Sequence, residues 1–462
     1  MADSSTLLGV VLLARHGDRE GFYQDPSSYT ASATTITPEG NASPLLNIHF
    51  VQELQLGQLL RSLYLNTSSP SFIPGINSTV ANLDQIEGTS SSIQQVRADG
   101  GGEGGVIVNS AMSLLQGLFP ATSNYNVTLA NGTNVVGPLG GYQYIPIESV
   151  EPDNDVSLEG WTSCGAFDTS TNAFYNSTEF QAKVNQSASF ISQLSPYLDG
   201  RPVTLKNMWN IYDYMNVENI HDASFAASIP DTFMEQARDL ANWHEYGVFS
   251  SVDLAGIGNI AARVMLPSIF ESFTSITASD DPLKISYLAL AYKPFLSLFN
   301  MTGVAQMNPQ LQGIVNYAAA VALEIRNSSS GGEPVLRFNF KNGTDDNGFT
   351  AYNILNSTGD IPLSTFVNYL SPAAVNTTAD WCKVCGNTED RGCGALALAA
   401  SEASAAARVN QRISPVGAGF LGAGLTLAVC LAMLGVLIFL GFLTVGKGRS
   451  RQKKTNDITE KA

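Results

Sequence analysis

Three hydrophobic patterns along the chain predict its main elements. Residues 7–13 form a short aliphatic run stopped by charged residues, which is typical of a buried strand in a parallel sheet. Residues 231–241 lack glycine and proline and space their apolar positions as a helix does. Residues 416–445 carry no charge over thirty positions, enough for a tilted membrane span, which needs roughly 20 residues. A buried core helix is the alternative for this last segment, but such helices rarely run so long without a polar face.

The segments around residues 416–445 differ sharply in composition. Residues 396–415 are rich in alanine and serine and are expected to form a tether. Residues 446–462 hold six Lys and Arg residues against two acidic residues, a balance of +4. The positive-inside rule therefore predicts a cytosolic tail, with the folded domain on the luminal or extracellular side.

Composition narrows the classes of partner. The chain has 462 residues, 44% of them apolar, so it can bury a large core in two or three domains. Its net charge is −16, and without the basic tail it is −20. An acidic surface argues against nucleic acid or anionic membranes as general partners and suits an enzyme or binder of small anions.

The most informative motif follows the first apolar run directly. Arg15-His16-Gly17-Asp18-Arg19 places a histidine between two arginines at the predicted end of a buried strand, where such folds place their sites. Guanidinium groups bind phosphate oxygens in pairs, and a histidine between them can attack phosphorus. We therefore expect His16 to be a nucleophile and Arg15 and Arg19 to bind phosphate. The alternative is a strand end with solvated charges.

This motif resembles the signature of the histidine acid phosphatases, branch two of the histidine phosphatase superfamily, which includes phytases. The resemblance spans roughly residues 7 to 395 and depends on further segments in the family's order: Thr37–Gly40, Leu56–Arg61, Val96–Asp99, Ser110–Met112, Gly117–Pro120, Trp209–Asp213 and Pro362–Phe366. It implies that Arg97 is a further phosphate-binding arginine.

The resemblance also implies an architecture. We expect a phosphoglycerate mutase-like α/β core, a parallel-sheet sandwich, formed by residues 7–160 and 260–395. A mostly helical cap, residues 161–259, would be inserted between them. One C-terminal transmembrane helix, residues 416–445, completes the expected organisation.

One family feature is missing from the sequence. Family members carry a late His-Asp dipeptide whose aspartate protonates the leaving alcohol, and the corresponding segment here, Lys284–Pro294, contains neither histidine nor acid. His221-Asp222 lies earlier, in the predicted cap, where Asp222 is expected to cap a helix. General acid catalysis accelerates such reactions by about 10²–10⁴-fold, so an enzyme without a proton donor would lose this acceleration.

Three acids near the predicted pocket are candidate proton donors: Asp18, Asp99 and Glu103. Each could instead be solvated or paired with an arginine. Residues 98–105 form a glycine-rich loop directly after Arg97. The loop does not end in the Gly-Lys-Ser/Thr of a nucleotide-binding P-loop, so we interpret it as a flexible insertion.

Four cysteines outside the span are expected to form two disulfides: Cys164, Cys382, Cys385 and Cys393. The resemblance implies that Cys164 pairs with one of the other three. Three connectivities remain open, and a zinc knuckle at the C-terminal cluster is disfavoured because no histidine lies near it. No metal or cofactor is expected.

Twelve Asn-x-Ser/Thr sequons support a luminal or extracellular domain and N-linked glycans. They begin at Asn41, Asn66, Asn77, Asn126, Asn131, Asn176, Asn185, Asn300, Asn327, Asn342, Asn356 and Asn376. The first residues lack the positive start and cleavage site of a signal peptide, so we expect that a leader was trimmed or misassigned. A tail-anchored, cytosol-facing protein is the alternative.

Two functions fit the sequence. The first is a membrane-anchored acid phosphatase at the cell surface or in the secretory pathway, which cleaves small phosphomonoesters through a phosphohistidine. The second is a pseudophosphatase, a surface glycoprotein that binds phosphate-bearing ligands without efficient turnover. The sequence indicates neither the physiological substrate nor the oligomeric state.

Overall fold

The first strand, β1, is buried on both of its faces. Val10 and Leu12 pack into one apolar cluster, whereas Val11 and Leu13 pack into a second cluster on the other face. This alternation explains the continuous aliphatic run, because a strand with helices on both faces needs no polar side. The computed structural model describes residues 5–19, 48–88, 96–101, 103–198, 200–329, 331–412, 415–440 and 442.

Ten strands occur in the described residues. They are β1 Leu7–Arg15, β2 Val96–Asp99, β3 Asn126–Thr128, β4 Asn134–Val136, β5 Glu148–Val150, β6 Ile285–Leu290, β7 Ala320–Arg326, β8 Val335–Lys341, β9 Thr350–Tyr352 and β10 Ile361–Pro362.

The α-helices of the described residues are of very unequal length. They are α1 Ile48–Leu60, α2 Asp84–Glu87, α3 Gly104–Leu118, α4 Pro138–Gly141, α5 Gly165–Tyr175, α6 Thr178–Ile191, α7 Met208–His221, α8 Ala223–Ser228, α9 Asp231–Val248, α10 Ile260–Arg263, α11 Leu266–Thr277, α12 Lys293–Met301, α13 Val304–Met307, α14 Leu363–Leu370, α15 Thr378–Cys385, α16 Cys393–Arg412 and α17 Pro415–Phe439.

The central sheet has the strand order β10-β8-β7-β1-β6-β2-β5, with β9 paired to β8. The strands β1, β6, β2 and β5 are parallel, whereas β7 runs antiparallel to β1 and β8 runs antiparallel to β7. The predicted α/β class is confirmed, and the sheet is mixed because β7 pairs antiparallel with β1 on one side and with β8 on the other. This order puts β1 and β6 at the centre, with their carboxyl ends together.

Helices cover both faces of the sheet. The helices α1 and α3 contribute to the cluster that contains Leu12. The cluster that contains Leu13 includes residues of α11, α12 and α14 together with α5, α7 and α9, which lie between β5 and β6 in sequence. The helices expected in the cap therefore share one apolar cluster with the sheet.

Two disulfides close the C-terminal part of this region. Cys164, directly before α5, is bonded to Cys385 at the end of α15, and Cys382 is bonded to Cys393. All four cysteines expected in disulfides are thus paired, and Cys164 pairs with one of the C-terminal three. Cys430 is the free cysteine of the described residues.

The chain divides into two units, residues 1–394 and residues 395–462. In the second unit, the expected tether, residues 396–415, is helical through Arg412 as part of α16. Within α17, Gly419–Phe439 is long and apolar enough to cross a membrane, and its described side chains are exposed. The sequence segment 37–40, Asn41 and the basic tail lie outside the described residues.

One buried charge on α1 has an energetic consequence. Glu53 is fully buried, and neither of its carboxylate oxygens has a hydrogen-bond partner in the described part of the protein. Burial raises the pKa of Glu53 well above its usual value, against the opposing charge of Lys341. The folded state therefore binds a proton at Glu53 more tightly than the unfolded chain does.

We predict that the protein becomes less stable as pH rises, because Glu53 then loses this proton. A carboxyl group whose pKa is higher in the folded than in the unfolded state stabilises the fold at low pH. This stabilisation is lost as pH rises through the folded-state pKa. Melting temperatures of the full chain in detergent, measured from pH 5 to pH 8, should fall less steeply for Glu53→Gln than for the wild type. The exposed Glu235→Gln serves as a control and should keep the wild-type slope. An unchanged slope in Glu53→Gln would contradict the assignment.

Candidate functional site

The residues after β1 lie where the parallel strands end together. Arg15 of β1 stands opposite Leu290 of β6, and the backbone N–H of His16 donates to the carbonyl of Leu290 at 3.1 Å. Beyond these strand ends is a cavity of about 200 Å³. Its lining includes Arg15, Arg19, Glu103, Asp213, Lys293 and Tyr317.

His16 lies behind the cavity wall and is almost completely buried. Its Nδ1 is 2.7 Å from the carbonyl oxygen of Gly17, which only accepts hydrogen bonds, so Nδ1 carries a hydrogen. The other ring nitrogen, Nε2, is 2.5 Å from Oε2 of Glu103. Nε2 is therefore the nitrogen that can offer a lone pair, once the Glu103 carboxyl and the proton between the two groups have moved away.

Several groups act on the pKa of His16. Burial lowers this pKa, and the charges of Arg15 and Arg19 act in the same direction, whereas Glu103 opposes them. The net direction is downward. A neutral imidazole is the form that can attack phosphorus, so burial and the two arginines favour the nucleophilic form.

Arg15 is held by aromatic rings. Its guanidinium carbon lies 4.3 Å from the ring centre of Tyr317 and 5.2 Å from that of Tyr292, and one Nη donates to the carbonyl of Val315. Cation–π contacts of this kind stabilise a desolvated guanidinium. Its buried Nε has no hydrogen-bond partner in the described part of the protein, which leaves a donor for an anion in the cavity.

Arg19 joins the core to the helix α7. Its Nη2 is 2.9 Å from Oδ1 of Asp213 on α7 and 3.2 Å from Oε1 of Glu103. Nη1 donates to the other oxygen of Asp213 at 3.2 Å. The pairing with Asp213 is bidentate and fixes the orientation of the guanidinium plane.

Arg97 does not line this cavity. Its Nε donates to Glu148 at 2.7 Å, one Nη donates to Ser268 of α11 at 3.0 Å, and the other pairs with Asp155. It lies inside β2, and the residue at the end of that strand is Asp99. One repeat of the pleat thus separates Arg97 from the edge where the cavity opens.

Asp18 and Asp99 are both buried acids, and neither is among the residues that line the cavity. Burial raises the pKa of Asp18, against the opposing charge of His221, whose Nε2 is 2.9 Å from Oδ2 of Asp18. Burial and the charge of Glu159 raise the pKa of Asp99 well above its usual value. Both carboxyl groups are therefore biased toward the protonated form.

Asp222 caps a helix, as the sequence predicted. Its side chain accepts from the backbone N–H groups of Ser224 and Phe225 at the start of α8. Its neighbour His221, which ends α7, instead contacts Asp18. The two halves of the dipeptide thus have different partners.

Some residues of the site gave no local signal. Lys293 lines the cavity shortly after β6, within the segment where the family's His-Asp dipeptide was expected. The resemblance therefore indicated the position, although it did not predict a lysine there. Tyr317 and Asp213 are brought to the arginines only by tertiary structure. No group of three or more His, Cys, Asp or Glu residues in the described chain could hold a metal ion.

The chain is similar in sequence to acid phosphatases. It is 23% identical to human lysosomal acid phosphatase over 291 residues, which cover 61% of this chain and 59% of that protein. It is also 23% identical to mouse testicular acid phosphatase over 333 residues, 70% of this chain and 68% of that protein. The chain thus spans about 60% of the length of the lysosomal relatives, and no known family's sequence profile matches it.

Solved phytases have a similar fold. The phytase of Citrobacter braakii superposes with a TM-score of 0.53 and 13% identity, covering 80% of this chain and 98% of the phytase. The phytase of Klebsiella sp. ASR1 gives a TM-score of 0.51 and 12% identity, covering 80% and 96%. The resemblance to histidine acid phosphatases inferred from the motifs is confirmed by these relatives.

We predict that Arg97 contributes to stability and not to anion binding. Arg97→Met should lower the free energy of unfolding by about 2–4 kcal/mol, because it removes the buried member of a charge cluster. Arg337→Met, which breaks the half-exposed pair with Asp360, is the matched control and should cost at most about 1 kcal/mol. Denaturant unfolding measures both, and the affinity for inorganic phosphate should stay unchanged. Wild-type stability with lost phosphate binding would contradict this assignment.

Proposed function

We propose that this protein is a membrane-anchored, acid phosphatase-type hydrolase that cleaves small phosphomonoesters through a phosphohistidine at His16. The observation that carries the proposal is the geometry at the end of β1. The hydrogen bond to Gly17 leaves Nε2 of His16 facing Glu103, which lines the cavity together with Arg15 and Arg19. Similarity to acid phosphatases and to the phytase fold supports the same chemistry.

In this mechanism, the two arginines bind the phosphate oxygens and disperse their charge. The Nε2 lone pair of His16 forms the N–P bond while the P–O ester bond breaks, and the leaving oxygen takes a proton. Water then attacks phosphorus and the N–P bond breaks, which releases inorganic phosphate and restores His16. No metal or cofactor is required for these steps.

The leaving group needs a proton donor that the missing His-Asp dipeptide would otherwise supply. Asp18 and Asp99 are proposed for this role because burial raises the pKa of both, which favours the protonated form that a proton donor needs. Lys293, which lowers the pKa of Asp99 by its charge, lines the cavity. Glu103 is the weaker candidate, since its pKa lies well below the usual value.

A phosphate-binding pseudophosphatase is the second candidate. The contact between Glu103 and His16 and the absence of acid in residues 284–294 favour it. An aryl phosphate has a good leaving group that needs little protonation, whereas an alkyl phosphate needs a proton donor. Hydrolysis of both supports a complete enzyme, hydrolysis of the aryl ester alone indicates a nucleophile without an acid, and hydrolysis of neither supports the pseudophosphatase.

We predict that His16→Ala abolishes turnover. In the full chain in detergent, hydrolysis of the aryl phosphate should fall by about 10³-fold or more, because the covalent route is lost. Phosphate and vanadate binding should survive in part through the arginines. Asp222→Asn, whose side chain only caps α8, should retain wild-type turnover. Wild-type rates in His16→Ala would remove the phosphohistidine mechanism.

The proposed topology places the folded unit in the lumen or outside the cell and the C-terminus in the cytosol. Four basic residues close behind the span support this orientation, as do two disulfides, which persist in oxidising compartments. Of the sequon asparagines that the structure describes, nine are exposed. They are Asn66, Asn77, Asn126, Asn131, Asn176, Asn185, Asn327, Asn356 and Asn376.

We predict that the full chain, expressed in eukaryotic cells with a functional leader, carries several N-glycans. Enzymatic removal of N-glycans should lower its apparent mass by more than one glycan. Alkylation without reductant should modify Cys430 at most, and Cys430→Ser should take up no alkylating reagent. The natural transcript, expressed without an added leader, provides the contrasting arm. If it shows no glycan shift and four further free thiols, the protein faces the cytosol.

A further inference from the structure

The carboxylate of Glu103 lies where a substrate phosphate would bind. Its Oε2 is 2.5 Å from Nε2 of His16, and its Oε1 is 3.2 Å from Nη2 of Arg19. The side chain is only 6% exposed and lines the cavity beside Arg15. One anionic group thus occupies both the nucleophile and a phosphate-binding arginine.

This arrangement and a bound phosphate exclude each other. A phosphorus atom in position for attack lies about 3–3.5 Å from the nucleophile, and its oxygens lie about 2.7–2.9 Å from guanidinium nitrogens. Oε2 of Glu103 already fills the space in front of Nε2. The contact also holds a proton, because a lone pair on Nε2 and a carboxylate oxygen would repel each other at 2.5 Å. While the contact lasts, His16 is therefore covered, and the lone pair of its Nε2 is engaged by the proton that it shares with Glu103.

The charges make the contact persistent. Burial opposes ionisation of Glu103, but the charges of Arg19 and His16 together outweigh burial and hold the pKa of Glu103 well below its usual range. Its charged form therefore persists to lower pH than that of an ordinary glutamate, and an anion that takes its place at Arg19 can displace it.

The local backbone allows the side chain to leave without disturbing the helix. Glu103 immediately precedes α3, and its carbonyl accepts from the N–H groups of Val106 and Ile107 at 3.0 and 3.1 Å, which fixes its backbone. Its side chain has three rotatable bonds. Lys293, whose charge already acts on Glu103, lines the same cavity and offers a cation toward which the carboxylate can turn.

We propose that Glu103 is a built-in competitor for the phosphate site, so that an oxyanion binds His16 and Arg19 only when this carboxylate withdraws. The proposal concerns regulation of the site described under the proposed function and rests on that function. If only a fraction of the molecules has an open site, the apparent affinity for the ligand is the intrinsic affinity multiplied by that fraction. Removing the carboxylate should therefore strengthen anion binding.

The test measures binding of inorganic phosphate to the full chain in detergent by calorimetry. Glu103→Gln removes the charge and keeps the shape, whereas Glu103→Ala also clears the space in front of Nε2. We expect both variants to bind phosphate about 10- to 100-fold more tightly than the wild type, or about 1.4–2.7 kcal/mol. Glu235→Gln, the same substitution on the exposed face of α9, should leave the affinity unchanged.

The outcomes separate this proposal from the proposed function. Tighter phosphate binding without turnover of aryl phosphate in any variant supports the competitor and removes the hydrolase. Unchanged phosphate binding with slower turnover in both variants overturns the competitor and makes Glu103 a proton donor. Weaker or undetectable phosphate binding in both variants also overturns it, since Glu103 would then help to assemble the site.

Discussion

Charge held out of water at the carboxyl edge of the sheet is the constraint on which this structure depends. Arg15 ends a strand that is buried on both faces, and His16 and Arg19 follow it. Because all three side chains are buried, each must find a partner within the protein. Glu103, Asp213 and the rings of Tyr292 and Tyr317 supply these partners. The cavity is therefore a set of balanced buried charges, and any ligand enters by replacing one of its members.

The same constraint joins separate parts of the chain. Arg19 reaches Asp213 near the middle of α7, and Asp18 reaches His221 at its end. The helix α7 is thus tied to the signature segment by two polar contacts, both made by residues that closely follow His16. Side chains of α7 that line the cavity accordingly have defined positions relative to the arginines.

The local sequence was sufficient to predict those features that depend only on adjacent residues. The aliphatic run of β1, its abrupt end in Arg15-His16-Gly17, and the helix cap at Asp222 all follow from local pattern. The partners of Arg97 do not follow from local pattern, because the pleat of the strand and the acids of neighbouring segments, Glu148 and Asp155, determine them. Tyr317 has no distinctive local context, so only the tertiary fold brings it to the site. The antiparallel pairing of β7 with β1 was equally hidden, since a central strand is apolar in either direction.

The bond between Cys164 and Cys385 has a consequence for the integrity of the chain. It closes a covalent ring that contains the helices α5 to α15 and the strands β6 to β10. A protease that cuts one peptide bond anywhere in this ring converts the protein into two polypeptides that stay covalently joined. A nicked molecule would keep its mass under non-reducing conditions, and His16 would remain linked to the helix α7 and to the C-terminal half of the sheet.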